Sequence, residues 1–426
     1  MTSSGTTVIR AKTLIDGNGG PPIKDPVVVI EGNEIKAVGH QEIFQPPQGP
    51  GVRELDFPQG HILPGLIDAH THLMFGTVAG HGYSEGPYEE VIERDSNEIM
   101  LLRAAHNTHI HLSAGVTTLR DCGARDRVTF DLREGARQGL VTAPRLLLSG
   151  RPVTITGGHF YWCHGEADGE DGVKGAVRQL VKEGSDFIKI MASGGGTAIT
   201  DNRRASYDAS ELRAIVEEAH THGKLTTAHC LATQSMINAL DAGVDMMEHA
   251  GFIEPDGSYL FAPSIAERIA EQGMYVSPTV QTGFRRREAL LAKARSEGLS
   301  SEEEERLDSS KAKCESQLEF LSRLWSDWNI KIIAGTDAIQ TFGDYCLGLE
   351  IQSQAGMSNM DIIQSATSVA AKAIGVNSLT GAIEPGKEAD LIVVEQDPLK
   401  DISALRSMTM VMRAGKRVVP YGPMEE

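Results

Sequence analysis

Eight short strand-like segments, most of them preceded by a helical stretch with its own stop signal, constrain this chain more than any other feature of its sequence. They fall at 62–72, 116–121, 145–149, 186–192, 225–229, 244–249, 274–279 and 331–337. Leu112-Ser-Ala-Gly, Leu180-Val-Lys-Glu-Gly, Ala219-His-Thr-His-Gly, Leu240-Asp-Ala-Gly and Ile269-Ala-Glu-Gln-Gly close helical stretches between them, with glycine where a left-handed C-cap is wanted. Alternating strands and helices imply parallel pairing, and eight such units close an α/β fold of the (β/α)8 TIM-like barrel type. A doubly wound open sheet is the competing architecture. The count of eight, and the lack of a GxGxxG phosphate fingerprint after an early strand, favour the barrel. Gly194-Gly-Gly follows a strand without that order and reads as a flexible turn.

The two ends have another texture. Val8-Ile9, Pro26-Val-Val-Val-Ile-Glu and Glu34-Ile-Lys-Ala-Val-Gly are short β-type runs, and Ala389-Asp-Leu-Ile-Val-Val and the run from Met408 to Val419 repeat them near the other terminus. Two separated β-rich ends most economically make one small domain, expected to be a β-sandwich built from 1–62 and 381–426 around a barrel over 63–380. The helix-forming, densely charged stretch 284–327 departs from the plan. It reads as a solvated helical excursion before the eighth strand, with a lid or an oligomer contact as the alternative.

Composition narrows the partners. Forty basic against 58 acidic side chains leave a net charge of −18, which repels phosphate backbones and anionic lipid, so neither nucleic acid nor membrane is expected. The opening MTSSGTTVIR has neither the basic nor the apolar region of a secretory signal. Five cysteines, an odd number without CxxC spacing, argue against a disulfide framework or a zinc-thiolate site and for a reducing, cytoplasmic setting. A small-molecule substrate and assembly with copies of the same chain are the expected partners.

In a barrel of this type the C-terminal strand ends line one mouth, so the last residues of each strand are the ones to read. They are His70-Thr-His72, Lys189, His229, His249 and Asp337. Each has a bland explanation: a lone strand-end histidine is usually structural, Asp337 fits a helix N-cap, and Glu248-His249 fits a surface pair. The bland readings do not account for all of them falling at the same end of independent units. Imidazole and carboxylate donors without thiolate suit Zn²⁺, with Mn²⁺, Co²⁺, Ni²⁺ or Fe²⁺ as alternatives. Lys189 interrupts an apolar strand where an unpaired ammonium is costly, and beside divalent cations it is also repelled. N-carboxylation by CO₂ turns it into a two-oxygen anion able to bridge two metals; pairing with a carboxylate, or Schiff-base chemistry, are the rival uses.

Pro64-Gly-Leu-Ile-Asp-Ala-His-Thr-His, Gly115-Val-Thr-Thr-Leu-Arg-Asp, Phe187-Ile-Lys-Ile, Ala228-His229, Glu248-His249-Ala, Gly335-Thr-Asp337 and Gly381-Ala-Ile-Glu-Pro-Gly-Lys-Glu-Ala-Asp-Leu-Ile-Val together resemble the amidohydrolase superfamily over essentially the whole chain. Within it the chain looks most like the imidazolonepropionase-related and Xaa-Pro or Xaa-Arg dipeptidase-like members, which include ochratoxin-hydrolysing amidases. The resemblance implies that His70, His72 and Asp337 hold one metal, His229 and His249 the other, and carboxylated Lys189 bridges them. It also implies a bridging hydroxide nucleophile, with Asp337 taking its proton and passing it to the leaving nitrogen. His159 matches a third-loop histidine that approaches the scissile carbonyl in several relatives, with His164 as second choice. Arginine-directed relatives often carry a tyrosine two residues past the fifth-strand histidine; here that position is Leu231. Arg203 and Arg204 are then candidates for anchoring a carboxylate, or simply loop charges. Tyr161, with Phe160 and Trp162, reads as an aromatic wall for a bulky amide or as loop packing. The expected reaction is hydrolysis of the C–N bond of a dipeptide or N-acyl amino acid. Carbamate, urea or lactone hydrolysis, a mononuclear deaminase or cyclic amidine hydrolase, and an inactive scaffold are the alternatives.

Overall fold

The computed structural model describes residues 5–43, 45–76, 92–339 and 341–418; the first residues of MTSSGTTVIR and Val419 lie outside them. β1 (Thr6–Leu14), β2 (Ile23–Lys24), β3 (Pro26–Glu31), β4 (Glu34–His40) and β5 (Val52–Pro64) come first. After Gly65 the chain enters β6 (Leu66–Thr71), β7 (Val116–Asp121), β8 (Arg145–Leu148), β9 (Ile188–Met191), β10 (Thr226–His229), β11 (Met246–Glu248), β12 (Tyr275–Ser277) and β13 (Lys331–Ile332). β14 (Leu391–Val394), β15 (Met408–Arg413) and β16 (Lys416–Arg417) follow.

β6 to β8 pair in parallel, and so do β9 to β13. Two seams join these ladders. Asp186 N–H donates to the Leu148 carbonyl at 2.9 Å and Val153 N–H to that of Lys189 at 2.9 Å. On the other side Ala69 N–H reaches Ala334 C=O at 3.0 Å, and Thr71 bridges Ala338 in parallel. Eight parallel strands therefore close on themselves, which leaves no barrel edge unpaired. The helices α1 (Asn97–Ser113), α2 (Val128–Arg137), α3 (Gly169–Glu183), α4 (Ala209–Thr221), α5 (Thr233–Ala242) and α6 (Pro263–Glu271) alternate with them. Gly184 (φ 102°) and Gly243 (φ 76°) cap α3 and α5 in the left-handed conformation that the stop signals predict.

The terminal domain is one hydrogen-bonded sheet in the order β16-β15-β14-β5-β1-β3-β4, with β2 on β1. It curls: Ile35 at the start of β4 donates to the Lys387 carbonyl at 2.8 Å, and Glu34 bridges Glu388 just ahead of β14. The two halves of the curled sheet thus enclose one apolar layer of Ile9, Val28, Ile30, Ile35, Ile62, Leu391, Val393 and Met410. Side chains buried in this way each contribute about 1.5–3 kcal/mol. Arg145 of β8 ties this domain to the barrel through Asp390 at 2.8 Å and Glu388 at 2.6 Å.

The charged stretch becomes α7 (Gln281–Ser296) and α8 (Ser301–Ser326), a helical pair between β12 and β13. A capping box starts α8: Glu303 N–H donates to Ser300 Oγ, and Ser300 N–H to the Glu303 carboxylate. Its outer face is charged, while Leu307, Cys314, Phe320, Leu321 and Leu324 are buried. The helices α9 (Cys346–Gln354), α10 (Asn359–Ser365) and α11 (Ser368–Ala373) complete the chain's path to β14. All five cysteines are buried and free. Among the described residues no helix is long and apolar enough to cross a membrane.

Candidate metal centre and active site

The histidines form a continuous run across the barrel mouth. Ring centroids lie 5.3 Å apart for His72 and His70, 5.2 Å for His70 and His249, 4.4 Å for His249 and His229, and 4.7 Å for His229 and His159. Three of the expected positions need correction. His72, His249 and Asp337 are not on strands: β6 stops at Thr71, β11 at Glu248 and β13 at Ile332. His249 and Asp337 adopt left-handed backbone (φ 70° and 49°), as do Thr279 and Ala250 beside them (φ 45° and 49°). Such conformations cost about 1–3 kcal/mol each and persist where the surroundings enforce them. For Asp337 the enforcement is visible: its N–H donates to the His70 carbonyl at 2.6 Å. Asp68, buried two residues before His70, accepts from Thr336 N–H at 3.0 Å and from Thr336 Oγ1 at 2.6 Å.

Proton bookkeeping shows what this geometry is built for. His72 Nδ1 lies 3.1 Å from the Gly123 carbonyl, which only accepts, so Nδ1 carries the proton. His70 Nδ1 lies 2.7 Å from Glu248 Oε2 and is likewise the donor. Burial, then the Lys189 ammonium, lower the His70 pKa to about 4, so its ring holds no second proton at neutral pH. The His70 Nε2 is therefore a bare lone pair, and it faces Asp337 Oδ1 at 3.5 Å, with His72 Nε2 3.3 Å from the same oxygen. Two imidazole nitrogens and a carboxylate oxygen converging on one space suit a cation there. The donor atoms of His70, His72 and Asp337 lie within 4.8 Å of one another, as a metal site requires.

The second pair follows the same logic. His229 Nε2 donates to the Gly194 carbonyl at 3.2 Å, which leaves Nδ1 as a lone pair 2.8 Å from His249 Nε2. His249 Nδ1 lies 2.6 Å from Thr279 Oγ1, a hydroxyl that can accept or donate. When Thr279 accepts, His249 Nε2 is bare as well, and the pair has the spacing of two donors sharing one ion at about 2.0–2.1 Å from each. Burial is the main cause holding both rings far below the ordinary histidine range, and Lys189 adds to it.

Lys189 lies on β9 opposite Thr227, is fully buried, and its Nζ has no hydrogen-bond partner. Its charge bears on His70, His229, His249 and His159 alike, which puts it among them. An orphaned ammonium inside a ring of lone-pair donors and Asp337 fits a site for divalent cations better than it fits a protein packed for its own sake.

Glu248 is no surface residue. It is fully buried, and besides His70 it accepts from Arg120 Nη2 at 2.5 Å and Thr227 Oγ1 at 2.5 Å. Burial works to raise its pKa, but His70 and the Arg120 guanidinium outweigh that and keep it ionised. Arg120, 1% exposed, also donates to the Ala69 carbonyl at 2.6 Å and lies over the Phe187 ring. This buried pair fixes the His70 tautomer and ring orientation, as a carboxylate behind a metal-binding histidine does. The signal was available in the sequence: like Lys189, Arg120 and Glu248 are charges inside apolar strands. Cys122 and Glu248 also lie near His70, but the Glu248 oxygens are engaged and burial pushes the Cys122 thiol up to about 12, so they make no second site.

In the third and fourth loops, His159 is buried with Nδ1 2.7 Å from Thr197 Oγ1. Because Thr197 Oγ1 also accepts from Phe160 N–H, its proton is free for Nδ1, which favours the Nε2–H tautomer of His159. Gly194-Gly-Gly is more than a flexible turn. A Cβ on Gly195 would lie 2.5 Å from His159 Nε2, so the glycine makes room for that ring. Arg203 does not reach into the site; it is exposed and held by both oxygens of Asp201 at 2.8 and 2.9 Å. Arg204 is exposed and uses its carbonyl to accept from Gly194 N–H at 3.3 Å. His164 is exposed and pairs with Asp126 at 2.8 Å. Tyr161 bonds Glu93 at 3.3 Å, whereas Phe160 and Trp162 pack against each other and Phe75. Leu231, half-buried just past His229, is held through its N–H by Ser193 Oγ at 3.0 Å.

A closed (β/α)8 barrel with clustered imidazole and carboxylate donors at its mouth defines a metal-dependent hydrolase. The chain belongs to the Amidohydrolase family, whose model matches residues 61–418. It is 27% identical to the ochratoxinase of Aspergillus niger over 96% of this chain and 86% of that protein, and the crystal structure of A. niger ochratoxinase superposes with a TM-score of 0.80 over 99% and 97% of the two chains. A Xaa-Pro dipeptidase solved with methionine in its active site is 27% identical, with a TM-score of 0.82 over 97% of this chain and 99% of that one. An imidazolonepropionase of Fusobacterium nucleatum is 22% identical over 90% of this chain and 86% of that protein. The chain is accordingly an enzyme that hydrolyses carbon–nitrogen bonds.

Proposed function

We propose that this enzyme cleaves the amide bond of a dipeptide or N-acyl amino acid, using two divalent cations, Zn²⁺ by the chemistry of the donors. His70, His72 and Asp337 would hold one, His229 and His249 the other, with N-carboxylated Lys189 between them. The observation that carries this reading is the convergence of the His70 and His72 Nε2 atoms on Asp337 Oδ1 beside the partnerless Lys189. Such cations, when bound, acidify water and polarise a carbonyl. The chain's own groups do the rest. Asp337 accepts the proton of the attacking water and delivers it to the leaving amine. His159, uncharged because burial lowers its pKa to about 3, donates Nε2–H to the developing oxyanion. Glu248 and Arg120 keep the His70 lone pair aimed. The ochratoxinase and Xaa-Pro dipeptidase relatives support the substrate class, and five free buried thiols agree with a reducing compartment.

The test is a screen of the zinc-loaded protein against N-acyl amino acids and dipeptides, with carbamates, ureas and lactones as counter-screen, alongside metal analysis. Two ions per chain and preferential amide turnover are expected. One ion per chain, or turnover confined to the counter-screen, overturns the reading. The His159 role has its own prediction: Gly195→Ala, which crowds the ring, and His159→Asn should each lower kcat by about 10²-fold, the loss typical of one oxyanion donor, at unchanged metal content. Unaltered steady-state kinetics in both would remove His159 from the reaction.

A further inference from the structure

The two rings of the second pair cannot both offer a lone pair at the spacing they hold without a cation. His229 Nδ1 is bare, and His249 Nε2 lies 2.8 Å from it, a contact that is favourable when Nε2 carries the proton and donates it. In that arrangement His249 Nδ1 accepts from Thr279 Oγ1 at 2.6 Å. A cation shared by the two rings demands the other tautomer, with the ring proton on Nδ1 and Thr279 turned from donor to acceptor. The hydroxyl proton of Thr279 then needs a new acceptor.

The structure holds one behind it. Thr279, Gln281, Thr336, Tyr345, Gly348 and Gln352 line a cavity with room for about one water. Three of these side chains are already engaged: Thr336 donates to Asp68 at 2.6 Å, Tyr345 to the Ile67 carbonyl at 2.6 Å, and Gln352 Oε1 accepts from Ser365 at 2.9 Å. Gln281, the first residue of α7, is 2% exposed, and its Oε1 has no protein partner. A buried amide oxygen in that position is costly, and an ordered water is the usual remedy.

Two departures from local preference converge on the same cavity. Thr279 keeps a left-handed backbone (φ 45°), an outlier for a β-branched residue and one that glycine adopts readily. Gly348 stands inside α9, where alanine makes the better helix, yet a Cβ there would lie 3.1 Å from Gln281 Oε1. The threonine supplies a hydroxyl where glycine would fit the backbone, and the glycine leaves room where alanine would fit the helix.

We infer that a buried water in this cavity, accepting from Thr279 Oγ1 and donating to Gln281 Oε1, takes up the hydroxyl proton when metal binds, which makes Gln281 a positioning residue for His249. The ring proton moves from Nε2 to Nδ1, Thr279 accepts it as a hydrogen bond, and Nε2 is left to the cation. This rests on the proposed pair of cations and adds the device that readies one of their ligands.

The experiment joins high-resolution crystal structures of metal-free and zinc-loaded protein to zinc affinities from chelator competition and metal-free melting temperatures, for wild type, Thr279→Val, Thr279→Ser, Gln281→Met, Gln281→Glu and Gly348→Ala. Wild type should show one water within hydrogen-bond distance of Thr279 Oγ1 and Gln281 Oε1 in both forms. Loss of a group that orients a metal-binding histidine costs about 10–100-fold in metal affinity, so Thr279→Val should fall in that range, with Thr279→Ser restoring most of it. Gln281→Met, which removes the acceptor, and Gly348→Ala, which takes the space, should each weaken zinc about tenfold at a metal-free melting temperature little changed. Gln281→Glu keeps an acceptor oxygen and should bind zinc nearly as wild type does. A dry cavity, unaltered zinc affinity in both Gln281→Met and Gly348→Ala, or a loss that Gln281→Glu shares in full, overturns the inference. A wild type that holds this water but takes up fewer than two ions sinks the two-cation reading and keeps the water site.

Discussion

Lys189→Ala should yield a folded protein with at most one divalent ion per chain and kcat below about 10⁻³ of wild type. The size follows from losing several kcal/mol of electrostatic stabilisation where each 1.36 kcal/mol is tenfold in rate. Alanine leaves space where the carboxylated side chain would stand, so acetate or propionate should restore part of both metal content and turnover. The sign of the stability change separates this role from a packing role. In metal-stripped wild type, Nζ is buried without a partner, an arrangement that penalises the folded state. Lys189→Met keeps the volume and removes the polar atom, so its metal-free form should melt at or above the Tm of metal-free wild type, while its metal-treated form melts below metal-loaded wild type. Full metal occupancy in Lys189→Ala, by elemental analysis, would discard the bridge.

Asp337→Asn should lower kcat by about 10²–10⁴-fold, the usual worth of a general acid–base group, with the fold intact. A carboxamide cannot take the proton that Asp337 is assigned, and its weaker donor oxygen also loosens the ligand set. Here too the metal-free protein reports independently. Asp337 Oδ1 lies 3.3 and 3.5 Å from the Nε2 atoms of His72 and His70, the latter a bare lone pair, and Asn places an N–H donor within reach of it. Metal-free Asp337→Asn should therefore be at least as stable as metal-free wild type by thermal unfolding. Near-normal turnover in the variant would take Asp337 out of the proton transfer.

The barrel was legible because its period is written twice, in apolar strand runs and in glycine stops such as Gly184 and Gly243. The candidate ligands were legible because strand ends in such a barrel share one mouth, so position alone grouped His70, His72, Lys189, His229, His249 and Asp337. The backbone that presents two of them was not. The expected segments ran to 249 and 337, yet the regular strands end at Glu248 and Ile332, and His249 and Asp337 sit in left-handed turns beyond them. The Arg120–Glu248 pair was missed although both charges stand in strand-like runs, because each is tolerable only through the other, and the two lie far apart in sequence. Gly195 was misread because its reason is a ring on another loop, not the freedom of its own backbone. Arg203 looked available until a neighbour two residues away proved to hold it.

Strand β5 feeds the barrel through Gly65, and its residues 61–64 are flanked on one side by the end of β1 and on the other by β14, where Pro64 stands opposite Leu391. While the ribosome is still making everything between, that second flank is bare, and His61, Ile62 and Leu63 form an apolar edge open to other strands. The nascent enzyme therefore carries an unpaired edge until residues 391–394 emerge, and chains arrested before that point should aggregate more readily than full-length ones, a difference that sedimentation of stalled and released chains would read.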